Sequence, residues 1–436
     1  MLLSFRASNH RSLAAEQQVL LTPVYAAEGP DEEEWDAVPV AGIFGPNASG
    51  KSNVLDALLY MRRMVRDSLQ DSEPGRGPIR HPYALDPAAR REPSSFVVDL
   101  LLGRRRNDDE LFSEPGVRHE YGFTLDDDQI VEEWLYSYPH KQRRKVFHRQ
   151  GDVYDWGSHS FKELKSVADI VETNVLFLSV AARSRQGQAE IAQVYDWFTH
   201  RLSARRPMGT LSQQQLGALL GRSGDAYLSW LNGLLRAADT GIEDTELVEE
   251  SEEEFELRRA MLSESSSRKA RPERTVLFRH RGEHGTVPLG VFDESTGTQS
   301  LIALSNPVFT ALRRGDTLIV DELDASLHPY LSAHLIGLFQ SAKTNPLAAQ
   351  LVFSTHDAAL LGKIQGAEVL RRDQIWFTEK DECGRTELFP LTDFKPRKDE
   401  NRELRYLAGR YGAVPTITDD LVLATLAERG PDLDDA

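Results

Sequence analysis

A glycine-rich stretch from Gly45 to Asn53 contains residue types suited to binding a phosphate anion. It reads G-x-x-x-x-G-K-S, in which Gly50, Lys51 and Ser52 follow one another. Glycines let the backbone turn tightly around an anion, while successive N–H groups and the helix dipole supply positive potential. In such a loop Lys51 would reach the β- and γ-phosphates and Ser52 would hold Mg²⁺. The sequence therefore predicts a nucleoside triphosphate site contacted by Gly45, Pro46, Asn47, Ala48, Ser49, Gly50, Lys51, Ser52 and Asn53.

Two adjacent carboxylates follow the apolar run Leu318–Val320. An apolar strand that stops at charged residues delivers them to the carboxyl edge of a buried parallel sheet. We expect Asp321 to hold the hydrated Mg²⁺ together with Ser52, and Glu322 to polarise the attacking water as a general base. On its own this stretch would be an ordinary acidic turn, so the interpretation depends on the phosphate loop.

Two further stretches carry groups that suit a triphosphate. His356 ends another apolar strand, where a neutral imidazole would hydrogen-bond the γ-phosphate, although a lone histidine is more often structural. Ser295, Thr296 and Gly297 precede a helical apolar run, so their hydroxyl and N–H groups would form a second anion site at a helix N-terminus. One nucleotide cannot reach both anion sites within a monomer, so the pattern predicts a site shared between two copies.

The elements that must position these residues form an α/β pattern. Seven strand-like segments in the first third predict an antiparallel lobe, and alternating strands and helices near the C-terminus predict βαβ units with a parallel sheet. Between them the pattern turns helical and is interrupted by an acidic run, Glu243 to Glu256. We expect three segments: an N-terminal ATPase lobe (1–182), a helical insertion with an acidic loop (183–270) and a C-terminal ATPase lobe (271–436).

Composition narrows the class of protein. The net charge of −17 argues against a protein that coats nucleic acid by bulk electrostatics, although three basic clusters leave a local groove open. These clusters are Gly103–Asn107, His140–Lys145 and Ser203–Pro207. The sequence offers no apolar run long enough to span a membrane and no signal peptide. With a single cysteine, Cys383, the chain is expected to be cytoplasmic and to have no membrane partner.

The order of these motifs resembles an ABC-type ATPase head, as in chromosome-maintenance and recombination-repair ATPases. The motifs are the phosphate loop, ESTGTQ, LIVDELDASLHP and STHD. Over nearly the whole chain the sequence is also similar to prokaryotic AAA-type ATP-binding proteins of abortive-infection loci, the RloA-like group. The resemblance implies a P-loop fold, ATP and Mg²⁺ as ligands, and a homodimer or higher homo-oligomer that sandwiches ATP. In that arrangement Ser295 and Gly297 act on the partner's nucleotide, and the loop from Asp324 to Leu327 communicates across the dimer.

Two functions follow from this resemblance. The first is an ATPase that acts as the sensor or regulatory subunit of an anti-phage system with a separate, nuclease-like effector. We expect no intrinsic nuclease, because little sequence follows the ATPase motifs. The second is a DNA-repair or recombination ATPase that clamps DNA with the top of its head dimer, which would require a basic face.

Overall fold

The computed structural model describes residues 1–24, 36–73, 75–103, 116–157, 161–184, 189–205, 212–261, 272–395 and 400–415. Within these ranges no helix combines the length and the apolar character needed to cross a bilayer. Parts of the basic clusters at 103–107 and 203–207 lie outside the described residues, as do several stretches of the expected insertion.

The described strands, in chain order, are β1 (Leu2–Ser8), β2 (Gln17–Leu20), β3 (Val40–Phe44), β4 (Ser94–Leu102), β5 (Val117–Leu125), β6 (Ile130–Tyr138), β7 (Arg144–Gln150), β8 (Val153–Trp156), β9 (Leu202–Arg205), β10 (Ile242–Glu249), β11 (Arg274–Gly282), β12 (Gly285–Gly290), β13 (Thr317–Val320), β14 (Gln350–Thr355), β15 (Lys363–Ile364), β16 (Ala367–Glu368), β17 (Ile375–Lys380) and β18 (Thr386–Pro390). The described α-helices are α1 (Lys51–Asp71), α2 (Phe161–Ala168), α3 (Phe177–Ala181), α4 (Ala189–Asp196), α5 (Gln213–Ala237), α6 (Glu252–Met261), α7 (Thr296–Arg314), α8 (Pro329–Gln340) and α9 (Arg402–Leu407).

An antiparallel sheet of seven strands forms the first lobe, in the order β2-β1-β4-β5-β6-β7-β8. Consecutive strands pair over most of this sheet, as alternating apolar patterns joined by short turns favour. The antiparallel lobe predicted from the sequence is thus confirmed.

A second sheet carries the motif residues, in the order β18-β17-β3-β14-β13-β9. Strands β17, β3, β14, β13 and β9 run parallel, and β18 pairs antiparallel with β17 at one edge. Every residue of β3, β13 and β14 is buried, because helices cover both faces of a parallel sheet. The predicted α/β fold with a mixed sheet is confirmed.

Two apolar cores hold these layers together. In the first, Ala41 and Ile43 of β3 pack with α1 and the antiparallel sheet, so α1 lies between the two sheets. In the second, Val40 and Phe44 on the opposite face of β3 pack with α5, α7 and α8. Because alternate residues of β3 enter opposite cores, this strand fixes the phosphate loop that follows it relative to both layers.

The secondary structure between residues 183 and 270 differs from the expected helical insertion with an acidic loop. Leu202–Arg205 forms β9, which joins the central sheet beside β13. The first half of the acidic run forms β10, which pairs with β11, and its second half begins α6. The acidic run is therefore regular structure where we expected a loop, while the division of the chain into three segments stays a prediction.

Candidate active site

The phosphate loop joins the carboxyl end of β3 to the first turn of α1. Gly50 adopts a φ of 111°, and a Cβ at this position would lie 2.0 Å from the Thr386 Oγ1 atom. Both the backbone conformation and the space therefore require glycine here. Asn47 and Ala48 are exposed at the tip of the loop, whereas Ser49 is buried. The loop thus presents its backbone to solvent at the N-terminus of a 21-residue helix, as expected of an anion site.

Hydroxyl groups from neighbouring elements stabilise this loop by hydrogen bonds to it and to the first turn of α1. The Ser49 hydroxyl lies 2.7 Å from that of Thr378 on β17, and the Thr386 hydroxyl donates to the Ser49 carbonyl at 2.8 Å. On α1 the Asn53 amide donates to the Ser12 hydroxyl at 2.6 Å. Because Ser12 and Thr386 come from opposite ends of the sequence, motif spacing could not reveal this support.

The side chain of Lys51 is buried against the phosphate loop and contacts its backbone. Its ammonium donates to the carbonyls of Gly45 (2.8 Å) and Pro46 (2.9 Å) and lies 3.2 Å from His356 Nδ1. Since an ammonium can only donate, Nδ1 accepts and the proton of a neutral His356 ring is on Nε2. Burial lowers the pKa of Lys51 from its ordinary 10.5 to about 8, although the carboxylates of Asp321–Asp324 oppose the shift.

This lowered pKa predicts a pH dependence of nucleotide binding. Free Lys51 loses its proton above about pH 8, whereas bound phosphates would restore its ordinary, higher pKa. Between about pH 8 and 10, binding should therefore take up a proton, and affinity should fall by up to about tenfold per pH unit. Calorimetry near pH 9 in two buffers of different ionisation enthalpy would measure this uptake. Lys51→Arg is the matched control, since arginine keeps its proton. A parent affinity independent of pH from 7.5 to 9.5 would contradict the prediction.

The expected metal ligands lie together at the carboxyl edge of the parallel sheet. The Ser52 hydroxyl donates to Asp321 Oδ1 at 3.0 Å. The Ser354 hydroxyl, at the end of β14, donates to the same oxygen at 2.6 Å and accepts from the Glu322 N–H at 2.7 Å. Ser354 was not assigned a role from the sequence, although it lies two residues before His356. Its two hydrogen bonds fix the orientation of both carboxylate-bearing residues.

This donor set fits Mg²⁺. Among the described residues no group of three or more histidine, cysteine, aspartate and glutamate side chains could hold a metal by itself. Mg²⁺ differs from metals that need such a cage, because it keeps several waters and binds through one or two protein oxygens plus substrate phosphates. The Ser52 hydroxyl and the Asp321 carboxylate supply oxygens of that kind, beside a loop suited to the phosphates.

We expect Ser354→Ala to weaken Mg²⁺ binding. The substitution removes the hydrogen-bond acceptor of the Glu322 N–H and one of the two donors to Asp321 Oδ1. Loss of such an outer contact typically lowers metal affinity about 10- to 100-fold. Mg²⁺ titration of ATP hydrolysis would measure the change. Ser332→Ala is the control, because it removes a buried hydroxyl that has no hydrogen-bond partner among the described residues. Equal Mg²⁺ dependence in both variants would contradict the role of Ser354.

Glu322 and His356 face the same space. Glu322 is a non-glycine residue with a φ of 53°, a conformation that costs free energy and often occurs at functional sites. Its carboxylate lies 3.8 Å from His356 Nε2, and both side chains are more than a third exposed. The His356 backbone N–H donates to Asp324 at 3.2 Å, which ties the loop after β13 to the loop after β14. The structure therefore brings together Lys51, Ser52, Asp321, Glu322 and His356.

The second expected anion site lies at the N-terminus of α7. Ser295 caps this helix by accepting a hydrogen bond from the Thr298 N–H, and both Ser295 and Thr296 are exposed. A Cβ on Gly297 would lie 2.9 Å from the Ser326 carbonyl, so glycine permits close contact with the loop Asp324–Leu327. Among the described residues the hydrogen bonds of Ser295 stay within its own helix turn. The structure therefore does not join Ser295–Gly297 to the phosphate loop within one chain.

Comparison with known proteins agrees with this architecture. Residues 40–362 match the family described as "AAA domain, putative AbiEii toxin, Type IV TA system". This match spans well over half of the 436 residues, from β3 to just beyond His356. No curated protein shows significant sequence similarity to the chain.

Several solved structures are similar over most of their length. One is the crystal structure of the SmcHead bound to the C-winged helix domain of ScpA, which is 13% identical to this chain with a TM-score of 0.44. The matched region covers 91% of this chain and 99% of the SmcHead chain. The SMC head domain from Thermotoga maritima is 12% identical with a TM-score of 0.38, and the match covers 89% of this chain and 98% of that domain. A structure of the recombination mediator RecF with ATP is 12% identical with a TM-score of 0.35, and the match covers 89% of this chain and 97% of the RecF chain.

The fold assignment depends on the chain's own geometry and on the family match. A phosphate loop, an acidic strand end and a histidine strand end meet at one edge of a parallel sheet. The antiparallel lobe lies beside this sheet, and Ser295 caps a separate helix, α7. These features confirm the predicted ABC-type ATPase head. The chain belongs to the AAA-domain family whose model matches residues 40–362.

Proposed function

We propose that this chain binds ATP with Mg²⁺ and hydrolyses it to ADP and phosphate between two copies of its head. One observation carries the proposal: Lys51, Ser52, Asp321, Glu322 and His356 lie within a single network of contacts, joined through Ser354, at the carboxyl edge of the sheet. The family to which the chain belongs is described as an AAA domain, which supports a nucleotide-dependent activity.

In the proposed reaction, a water oxygen attacks the γ-phosphorus as the bond from that phosphorus to the β–γ bridging oxygen breaks. The electron pair of that bond stays on ADP, and Glu322 accepts the proton of the water. Lys51 would bind the β- and γ-phosphates, and the His356 Nε2–H would donate to the γ-phosphate. Mg²⁺, held by Ser52 and by water on Asp321, would neutralise charge on the phosphates.

Purified protein provides the first test. We expect Mg²⁺-dependent release of phosphate from ATP, and loss of that activity in Asp321→Asn with retention of the folded state. Phosphate release that does not require Mg²⁺, or that survives in Asp321→Asn, would overturn the assignment of the metal site.

The shared site is supported by the exposure of Ser295 and Thr296 and by their separation from the phosphate loop of the same chain. We propose that they meet the partner's nucleotide. Mixing Lys51→Ala with Ser295→Arg should restore part of the hydrolysis that each variant lacks alone, because one of the two sites in the mixed dimer combines intact halves. Lack of recovery, together with equal activity of Ser295→Arg and the parent, would place a complete site within each chain.

We further propose that opening and closing of this dimer regulates a separate, nuclease-like effector of a prokaryotic anti-phage system in the cytoplasm. The family description, which names an AbiEii toxin and a TA system, supports a role of this kind. In cells that carry the chain with its neighbouring genes, Asp321→Asn should abolish protection against phage. Protection that is unchanged by this substitution would contradict an ATP-dependent role in defence.

A DNA-clamping role remains the alternative proposal. Within the basic cluster His140–Lys145, Arg144 pairs with Glu190, Lys145 pairs with Asp155, and Arg143 stacks on the Tyr136 ring at 3.7 Å. Pairing with carboxylates leaves less positive charge for a phosphate backbone, which favours the regulatory role. Stimulation of ATP hydrolysis by duplex DNA, lost at high salt, would instead support the clamp.

A further inference from the structure

A small pocket of about 160 Å³ lies on the metal side of the candidate site. It is lined by Ser52 and Asp321, the two expected metal ligands, and also by Arg11 and Arg205. Two arginines therefore lie beside the expected metal ligands, and a guanidinium group binds phosphate oxygens through paired hydrogen bonds.

The fold places Arg205 next to the acidic strand end. Arg205 is the last residue of β9, and it is in parallel register with Val320, the last residue of β13. Its carbonyl accepts a hydrogen bond from the Asp321 N–H at 3.1 Å. The backbone of Arg205 is thereby fixed against Asp321 at the carboxyl edge of the sheet, so its side chain starts from a well-defined position.

The two arginines differ in their partners. Arg11 donates from Nε to Asp56 at 2.6 Å, so a carboxylate already compensates its charge. Hydrogen bonds from His10 and the charge of Arg11 hold the pKa of Asp56 at about 2, against the effect of burial, and keep this partner ionised. Among the described residues Arg205 forms no ion pair, although it borders the same pocket. Its guanidinium is therefore available to pair with an incoming anion, whereas that of Arg11 is already paired.

We propose that Arg205 is a catalytic residue that contacts the γ-phosphate of the nucleotide held by its own chain. This inference depends on the proposed ATPase function and adds a residue to that site. Its guanidinium would bind γ-phosphate oxygens as the bond to the β–γ bridging oxygen breaks and the attacking water bonds to phosphorus. A cation in that position stabilises the transition state more than the ground state, as an arginine supplied within the same chain does in other nucleotide hydrolases.

The test separates binding from chemistry. Arg205→Ala should lower kcat by about 10²-fold or more while changing the ATP dissociation constant by less than about threefold. Arg205→Lys should recover part of the loss, because it keeps the charge without the paired hydrogen bonds. Trapping of ADP with aluminium fluoride, which mimics the transferring phosphoryl group, should be lost in Arg205→Ala. Trapping of ADP with beryllium fluoride, which mimics bound ATP, should remain.

A matched control lies at the other end of the same strand. Arg201 immediately precedes β9 and contacts Asp316, and Arg201→Ala should leave kcat near the parent value. The proposal is overturned if Arg205→Ala hydrolyses ATP at the parent rate, if it loses binding and turnover equally, or if Arg201→Ala reproduces its effect. Absence of hydrolysis by the parent chain would instead overturn the proposed function, so the two failures are distinguishable.

Discussion

Replacing Lys51 by alanine is expected to abolish nucleotide binding. Lys51 carries the ammonium that the phosphate loop surrounds, and it is only 5% exposed. On binding, it would exchange its bonds to the Gly45 and Pro46 carbonyls for charge-assisted bonds to phosphate oxygens. Each such bond contributes about 1.5–3 kcal/mol, so loss of two predicts an affinity at least about 100-fold weaker. Isothermal calorimetry with Mg-ATP would measure this change.

An exposed lysine supplies the control for that experiment. Lys343→Ala removes the same charge from a position that is exposed in the structure and outside the phosphate loop. It should bind ATP like the parent, and thermal unfolding should show that both variants are folded. Unchanged ATP affinity in folded Lys51→Ala would refute the assignment of the phosphate loop.

Replacing Glu322 by glutamine should preserve ATP binding and slow hydrolysis. Glutamine keeps the shape of the side chain but cannot accept the proton of the attacking water. Loss of a general base typically costs about 10²- to 10⁴-fold in rate. Single-turnover hydrolysis and a separate binding measurement would show whether only the chemical step changes.

Glu387→Gln is the corresponding control, because Glu387 is an exposed glutamate on β18. It should hydrolyse ATP at the parent rate. If Glu322→Gln also turned over at the parent rate, Glu322 would be only an acid at a strand end, and another group would have to activate the water.

Local patterns predicted the parts of the site that depend on short spacing. The phosphate loop could be located because Gly45, Gly50, Lys51 and Ser52 lie within one turn between a strand and a helix. Asp321 and His356 could be assigned because each ends an apolar strand, and parallel strands bring their carboxyl ends to one edge.

The acidic run shows where local patterns fail. Nine of the fourteen residues from Glu243 to Glu256 are acidic, which favours a solvated loop. The structure instead forms β10, which pairs with β11, and arginines of β11 lie within ion-pair distance of three of its glutamates. The cross-strand pairs are Glu243–Arg281 (2.6 Å), Glu246–Arg279 (2.6 Å) and Glu249–Arg274 (2.7 Å). Only Glu249 and Arg274 are directly opposite in the register, and Glu246–Arg279 is a diagonal pair. Opposite charges on neighbouring strands stabilise a sheet, and these contacts join residues about 25 to 38 positions apart.

Contacts distant in sequence also explain the residues that sequence reasoning missed. Strand β9 has only four residues, with the sequence LSAR, so it carries no clear strand pattern. Arg205 lies beside Asp321 only because β9 pairs in parallel with β13, which is more than a hundred residues later in the sequence. Ser354 was visible in the sequence, but its part in orienting Asp321 and Glu322 depends on the register between β13 and β14.

Sedimentation of Glu322→Gln with and without Mg-ATP tests the central claim most directly, namely that ATP closes two heads through Ser295 and Gly297. Slow hydrolysis should leave ATP in place, so the 49.0 kDa chain should sediment at twice its mass when ATP is present. Adding Ser295→Arg to the same chain should remove this shift without abolishing ATP binding. If Glu322→Gln binds ATP but shows no ATP-dependent change in mass or shape, the shared-site account is contradicted.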